Sequence, residues 1–147
     1  MLSLIKRFFQ WLGLTPSNRQ PLSRPEIAEP VSSDARLYAV QIVEKTPKND
    51  EVTEGQFIVV AHKEKLYWTI FRCPCGCQDV ISLAMQPPHQ PRWSLAVGGQ
   101  NRPTLHPSIW RNTGCMSHFW VRDGRVNWCP DSGREPWKVR PDLYRQR

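Results

Sequence analysis

Hydrophobic and polar residues alternate through the middle of the chain in short runs rich in β-branched and aromatic residues. Turn-forming residues separate most of these runs, and neither helical periodicity nor an internal repeat is visible between them. The runs are RLYAVQIVE, GQFIVVAH, KLYWTIF, DVISLAM, RWSLAV, TLHPSIW, SHFWVR and RVNWC. The pattern predicts a mainly β domain over residues 35–130, built as a small antiparallel sandwich or barrel.

The first 14 residues follow a different pattern, in which apolar positions recur at helical spacing. These positions are Leu2, Ile5, Phe8, Phe9 and Leu12. A helix of this length is marginal alone in water, so its apolar side is expected to contact the protein's own body, a partner or a membrane surface. Residues 15–34 are rich in proline and lack aromatic residues, which predicts a linker.

The chain carries 20 Lys and Arg against 13 Asp and Glu, a formal charge of +7. This excess favours an acidic protein, an anionic membrane surface or a polyanion as partner, although it also serves solubility. Residues 131–147 are predicted to form a basic tail. No window approaches the roughly 20 apolar residues of a membrane span. Five cysteines cannot all pair, and no secretory signal is visible, so a cytoplasmic location is expected, with peripheral membrane contact through residues 1–14.

The segment CPCGC places three cysteines close together. In a straight strand Cys73, Cys75 and Cys77 would share a face but stand about 6.5 Å apart, too far for one tetrahedral ion. Pro74 and Gly76 supply a turn that lets the thiols converge, so the sequence predicts a knuckle rather than a strand. Zinc bound by thiolates is the favoured interpretation, and a reduced thiol cluster or a redox pair is the alternative.

A fourth zinc ligand must come from Cys115 or Cys129. The turn predicted at Asp123–Gly124 decides which of them faces the cluster. Asp-Gly favours a two-residue hairpin turn. The cross-strand pairs that follow are Arg122 with Arg125, Val121 with Val126, Phe119 with Trp128 and His118 with Cys129. Cross-strand partners share a face, so Cys115 joins the apolar face and Cys129 the other. The predicted structural zinc ligands are Cys73, Cys75, Cys77 and Cys115; a three-residue loop would recruit Cys129 instead.

Serine and histidine residues beside this cluster are candidates for nucleophilic catalysis. A serine nucleophile needs a base within about 2.6–3.2 Å, and that base needs a group to orient it. Ser117 and His118 are neighbours on a strand and point to opposite faces, so Ser108, from another strand, is the better partner for His118. His106 is a secondary base or a substrate contact. The candidates for orienting the imidazole are Asp123, Asp131 and Asn127, among which the sequence does not choose.

Two other interpretations stay open. Cys129 opposite His118 is a possible thiol–imidazole pair, although nothing indicates a lowered thiol pKa. The domain could instead be a non-catalytic zinc module that binds protein or single-stranded nucleic acid. The residues available for nucleic acid are Trp93, Trp110, Trp120, Arg92, Arg102, Arg111 and Arg122. No RNP-type pattern, helix-turn-helix or paired zinc-finger spacing supports that use.

The combination of FRCPCGC, LHPSIW and GCMSHFWVRDGRVNWC, over about residues 70–130, resembles a bacterial family catalogued as a domain of unknown function. That family keeps the CPCGC cluster, a PSI tripeptide and a C-x-SH-aromatic segment. Some members are encoded beside bacterial ubiquitin-like proteins and their E1-like and E2-like conjugating enzymes. Those members are regarded as serine peptidases that trim or release the ubiquitin-like protein.

The resemblance implies catalytic roles for Ser108 of PSI and His118 of SHF, and it implies that Cys129 is dispensable. It therefore implies a zinc-stabilised hydrolase, a serine peptidase that processes or deconjugates a ubiquitin-like protein in a bacterial conjugation or defence pathway. The ubiquitin-like protein would be the substrate, and its conjugating enzymes would be further partners. Residues 1–14 lie outside the resemblance and could tether the domain to a membrane or to a conjugating enzyme.

Overall fold

A computed structural model describes residues 36–87 and 89–145. The predicted helix of residues 1–14 and the linker of residues 15–34 lie outside these described residues. The strands are β1 Val40–Val43, β2 Phe57–His62, β3 Lys65–Arg72, β4 Val80–Ala84, β5 Ser94–Val97, β6 Pro103–His106, β7 Ile109–Trp110, β8 His118–Arg122 and β9 Arg125–Trp128. Single helical turns follow at α1 Pro136–Val139 and α2 Pro141–Tyr144, and 3-10 turns lie at Asn49–Glu51 and Gly99–Asn101. None of the helices in the described part is long and apolar enough to cross a membrane.

The strands form three small sheets, in the orders β1-β2-β3-β4, β5-β6 and β7-β8-β9. Strand β1 pairs with β2 in parallel, and the other neighbours pair antiparallel. The mainly β prediction is therefore confirmed. Closure of the sheets into a sandwich or a barrel stays a prediction.

The main core joins the four-stranded sheet to the three-stranded sheet through aromatic side chains. Phe71 of β3 stacks on Phe57 of β2 with ring centroids 5.5 Å apart, and its ring meets Phe119 of β8 edge-on at 6.5 Å. All three rings are fully buried. On its other face, strand β2 contributes Ile58 and Val60 to a second apolar cluster. Because both faces of β2 are buried, the strand is apolar at nearly every position.

The β8–β9 hairpin has the predicted two-residue turn. Asp123 and Gly124 both have positive φ angles, 48° and 72°, as a type I′ turn requires. A Cβ at Gly124 would lie 2.6 Å from the carbonyl oxygen of Leu37, so only glycine fits there. The observed pairs are Phe119 with Trp128, Val121 with Val126 and Arg122 with Arg125, which confirms the predicted register.

This register separates the two faces of the hairpin. Phe119, Val121 and Val126 are buried in the main core, whereas His118 and Trp120 on the opposite face are only partly buried. Because alternation fixes the face of every residue in the strand, His118 cannot enter the core without exposing Phe119.

Removal of the central aromatic ring should destabilise the whole domain. Phe71→Ala leaves a cavity between the rings of Phe57 and Phe119, and we expect the free energy of unfolding to fall by about 3–5 kcal/mol. Urea denaturation followed by tryptophan fluorescence measures this change. The control is Ile42→Ala, whose side chain is 70% exposed and whose loss should cost at most about 0.5 kcal/mol. Equal losses for the two variants would contradict the assigned core.

Candidate active site and metal centre

The three-stranded sheet aligns chemically active side chains across one face. Trp110 of β7 pairs with His118 of β8, and the backbone N–H of Cys129, just after β9, donates to the carbonyl of His118 at 2.9 Å. Ser108 lies two residues before Trp110, and Asp131 lies two residues after Cys129. The strand pairing thus brings Trp110 and Cys129 beside His118, while Ser108 and Asp131, just outside the strands, contact its two ring nitrogens.

Ser108, His118 and Asp131 form a continuous chain of hydrogen bonds. The distance from His118 Nε2 to Ser108 Oγ is 3.1 Å, and the distance from His118 Nδ1 to Asp131 Oδ1 is 2.6 Å. With the imidazole in the Nδ1–H tautomer, Nδ1–H donates a hydrogen bond to the carboxylate, which leaves Nε2 free to accept one from the serine hydroxyl. This is the arrangement of nucleophile, base and orienting acid that acyl transfer requires.

His118 is also held by two further contacts, one to its ring and one to its backbone. The indole of Trp110 stacks on it, with ring centroids 4.2 Å apart and planes 1° from parallel. The backbone N–H of His118 donates to Ser132 Oγ at 2.9 Å. The His118 side chain is 13% exposed, so it is shielded from bulk water and still open to a small reactant.

The remaining sequence candidates lie elsewhere. The backbone N–H of Asp123 donates to Thr104 Oγ1, and its carboxylate lies 3.9 Å from Arg102. Asn127 is exposed on β9. Of the three residues predicted to orient the imidazole, Asp131 alone contacts His118. Ser117 is buried, with its Oγ 3.0 Å from Cys115 Sγ. The exposed His106 lies beside the ring of Trp120, with centroids 5.9 Å apart.

Sequence reasoning did not find the contacts of Trp110 and Ser132 with His118. Trp110 appeared only as a candidate for base stacking, although pairing PSIW against SHFW would have set it opposite His118. Ser132 lies in the segment that follows the last strand. The turn at residues 129–132 has a local signal in Pro130 and Gly133, but the direction that brings Ser132 to His118 depends on tertiary contacts.

Cys129 lies close to the same imidazole but is poorly suited to be a nucleophile. Its ligand atom and those of His118 and Asp131 all lie within 4.8 Å of one another. Burial and the negative charge of Asp131 raise the pKa of the Cys129 thiol, so the protonated form is favoured. Because the thiolate is the reactive form, the proposed thiol–imidazole pair is disfavoured.

A cleft of about 600 Å³ adjoins Ser108 through Pro107 and His106. Its lining is mixed: Leu66, Met85 and Trp93 provide apolar surface. Lys65 and Arg92 provide positive charge, and Glu64 provides one negative charge. The indole N–H of Trp93 donates to the carbonyl of Ser108 at 3.4 Å, so the cleft wall is tied directly to the serine. The cleft therefore lies beside the two residues that precede Ser108 in the chain.

The CPCGC segment forms the predicted knuckle and meets the fourth cysteine. The thiols of Cys73, Cys75, Cys77 and Cys115 all lie within 4.8 Å of one another. The distance between the sulfurs of Cys73 and Cys75 is 3.3 Å, and that between Cys73 and Cys115 is 3.7 Å. Four sulfurs around a tetrahedral zinc at about 2.3 Å stand about 3.8 Å apart, so these cysteines could hold a metal ion such as zinc.

The surroundings of the cluster fit a charged metal–thiolate group. Arg111 Nη1 lies 3.5 Å from the sulfurs of Cys77 and Cys115 and 2.8 Å from a carboxylate oxygen of Asp79. Burial raises the pKa of the Cys73 thiol above its usual range. Burial also acts to raise the pKa of Cys115, but hydrogen bonds from Ser117, Cys75 and Cys73 together outweigh it and lower that pKa to about 6. A divalent cation would supply the charge that several adjacent thiolates need.

The three tryptophans considered for base stacking already have partners within the protein. Trp110 is covered by His118, Trp93 packs against the main core, and the guanidinium of Arg122 lies 4.8 Å above the ring of Trp120. These contacts disfavour a surface made for single-stranded nucleic acid, which needs open aromatic faces.

Comparison with known proteins gives one family. A family model described as "Bacterial ubiquitination-like system serine protease (BubE)" matches residues 42–129, more than half of the chain. The match contains the four clustered cysteines, Ser108 and His118, and it ends two residues before Asp131. Neither the curated proteins nor the solved structures contain a significant match to the chain.

Metal analysis tests the cysteine cluster. After gel filtration without added metal, we expect the wild-type protein to contain one equivalent of zinc. Cys115→Ser should lose most of that zinc and melt at a lower temperature, because a structural zinc contributes its binding energy to folding. Mass spectrometry of the metal content and a thermal melt measure the two effects. The matched control is Cys129→Ser, which should keep its zinc; full zinc content in Cys115→Ser would contradict the ligand set.

Proposed function

We infer that this chain, which belongs to the bacterial ubiquitination-like system serine protease (BubE) family, cleaves peptide or isopeptide bonds with Ser108 as nucleophile. In this proposal His118 is the general base and Asp131 orients it. The observation that carries the proposal is the unbroken contact from Ser108 Oγ through both nitrogens of His118 to the carboxylate of Asp131.

The proposed reaction uses each of these contacts in turn. As Ser108 Oγ attacks the carbonyl carbon, its proton passes to His118 Nε2, and Asp131 stabilises the imidazolium that forms. The imidazolium then protonates the leaving amine, and an acyl-enzyme remains. A water molecule gives its proton to His118 and attacks the acyl group, which releases a carboxylate and restores the serine.

The proposed substrate is the C-terminal segment of a ubiquitin-like protein, joined to a further peptide or to an amine. The family description supports a bacterial ubiquitination-like system, and the conjugating enzymes of such a system are proposed as further partners. The cleft beside Ser108 supports an extended, partly apolar chain as the bound segment. Its positive residues, Lys65 and Arg92, and the net charge of +7 would steer an acidic protein toward the site.

The proposed role of zinc is structural. All four ligands are protein thiols, which closes the coordination sphere and leaves no position for a reactant. Cys115 lies three residues before His118, so the ion would fix the start of β8 and hence the position of the base. We also propose a cytoplasmic location, because thiol ligands persist in a reducing compartment, with membrane contact limited to residues 1–14.

A non-catalytic zinc module that binds protein or single-stranded nucleic acid is the alternative function. This alternative requires no alignment of Ser108 with His118. It does not account for the short contacts of His118 with Ser108 and Asp131. The two functions differ in their reaction with a small serine-directed probe.

Labelling by a fluorophosphonate probe tests the proposed nucleophile. We expect Ser108→Ala and His118→Ala to abolish labelling, and Asp131→Asn to slow it by roughly 10³–10⁴-fold, because the amide favours the wrong imidazole tautomer. The matched control is Asp123→Asn, whose carboxylate is exposed and does not contact His118, and which should label at the wild-type rate. If wild-type protein is not labelled and binds single strands in a salt-dependent manner, the alternative function holds.

Cleavage of a ubiquitin-like protein fused at its C-terminus to a reporter tests the proposed cleft. Arg92→Gln should raise KM several-fold with little change in kcat, because the arginine would contact bound substrate rather than the reacting atoms. Labelling by the small probe should be unchanged, since the probe does not fill the cleft. The control is Arg125→Gln, an exposed cation on β9 that does not line the cleft. An unchanged KM in Arg92→Gln would place the substrate elsewhere.

A further inference from the structure

Cys129 is the side chain beside Ser108, His118 and Asp131 that the proposed reaction does not use. Its backbone supports His118, but its thiol contributes nothing to proton transfer. The ligand atoms of Cys129, His118 and Asp131 nevertheless lie within 4.8 Å of one another, and all three residues are partly buried. Cys129 is the cross-strand neighbour of His118, and the turn closed by the bond from the Ser132 N–H to the Cys129 carbonyl carries Asp131 to the same imidazole.

The three side chains match the ligand types of an exchangeable zinc site. A thiolate, an imidazole and a carboxylate each bind Zn²⁺, and sites with three protein ligands keep a fourth position for water. Cys129 and Asp131 are both anionic when a metal is bound. Their negative charges offset the positive charge of Arg122, which interacts electrostatically with Cys129. The set is therefore suited to a soft divalent cation and differs in composition from the four-thiol cluster.

We propose that Cys129, His118 and Asp131 form a second, weaker site for Zn²⁺, and that zinc bound there inhibits the peptidase. The binding part of this proposal stands on the cluster alone, and the inhibitory part rests on the proposed function of Ser108 and His118. The site is weaker than the four-cysteine cluster because it offers a single thiolate. It must also break the short hydrogen bond between His118 Nδ1 and Asp131.

Inhibition follows from the proton balance of the imidazole. The metal takes the lone pair of His118 Nδ1, and the proton of Nδ1 moves to Nε2, so the ring stays neutral. The thiol of Cys129 releases its proton to solvent, and Asp131 turns from the imidazole to the metal. His118 Nε2 then carries a proton and can no longer accept the proton of Ser108.

Zinc titration of full-length protein with one equivalent of zinc in its four-cysteine cluster tests the inhibition. As buffered free Zn²⁺ rises, we expect the rate of fluorophosphonate labelling of wild-type protein to fall by about tenfold or more. Cys129→Ala should label at the wild-type rate without added zinc and should need roughly tenfold or more zinc for the same loss. The matched control is Asn127→Ala, an exposed residue on the same side of β9, which should be inhibited like the wild type.

Cobalt binding gives a second readout that does not depend on activity. Protein that holds zinc in its four-cysteine cluster should bind a second metal equivalent as Co²⁺, seen by thiolate-to-metal absorption, whereas Cys129→Ala should bind none and Ser108→Ala should bind it like the wild type. A second equivalent that depends on Cys129 supports the metal site, whether or not the protein reacts with the probe. If neither the wild type nor any variant reacts with the probe, the peptidase function fails and the proposed inhibition fails with it. Equal cobalt stoichiometry and equal zinc sensitivity in wild-type and Cys129→Ala protein would overturn the site and leave the peptidase intact.

Discussion

The reversal of the chain at Asp123 and Gly124 is the constraint on which the candidate site depends. The carbonyl oxygen of Leu37 approaches Gly124 so closely that no side chain fits there, and Asp123 and Gly124 both have the positive φ angles of a two-residue turn. A loop one residue longer would shift the pairing by one residue, so that Cys129 instead of Trp128 would lie opposite Phe119 and share its face. The buried aromatic core resists that change, so the packing of one face maintains the chemistry of the other.

Strand β8 and the residues before it serve two purposes through strict alternation. Cys115 and Ser117 face the cysteine cluster, and Phe119 and Val121 face the core. His118 lies between them on the opposite side, in contact with Ser108 and Asp131. A structural metal and a reactive imidazole can therefore lie within a few residues of each other without sharing a ligand. The geometry of the cysteine cluster therefore does not constrain the orientation of the His118 imidazole.

The sequence predicted those parts of the structure that depend on local patterns. The hairpin register follows from the Asp-Gly pair, the knuckle follows from Pro74 and Gly76, and both agree with the structure. The sequence did not choose Asp131 over Asp123 and Asn127, because the choice depends on where the chain runs after its last strand. That path is set by tertiary contacts, such as the bond from the Gly133 N–H to the carbonyl of Met116, which leave no mark in residue periodicity.

The parallel stack of Trp110 on His118 has a consequence for the identity of the two ring nitrogens. A half-turn of an imidazole about its Cβ–Cγ bond exchanges the positions of Nδ1 and Cδ2, and the ring must sweep through the space above and below its plane to make that turn. The indole occupies this space on one side at 4.2 Å. The ring is therefore confined to one orientation, and each nitrogen keeps its own neighbour through every round of proton exchange.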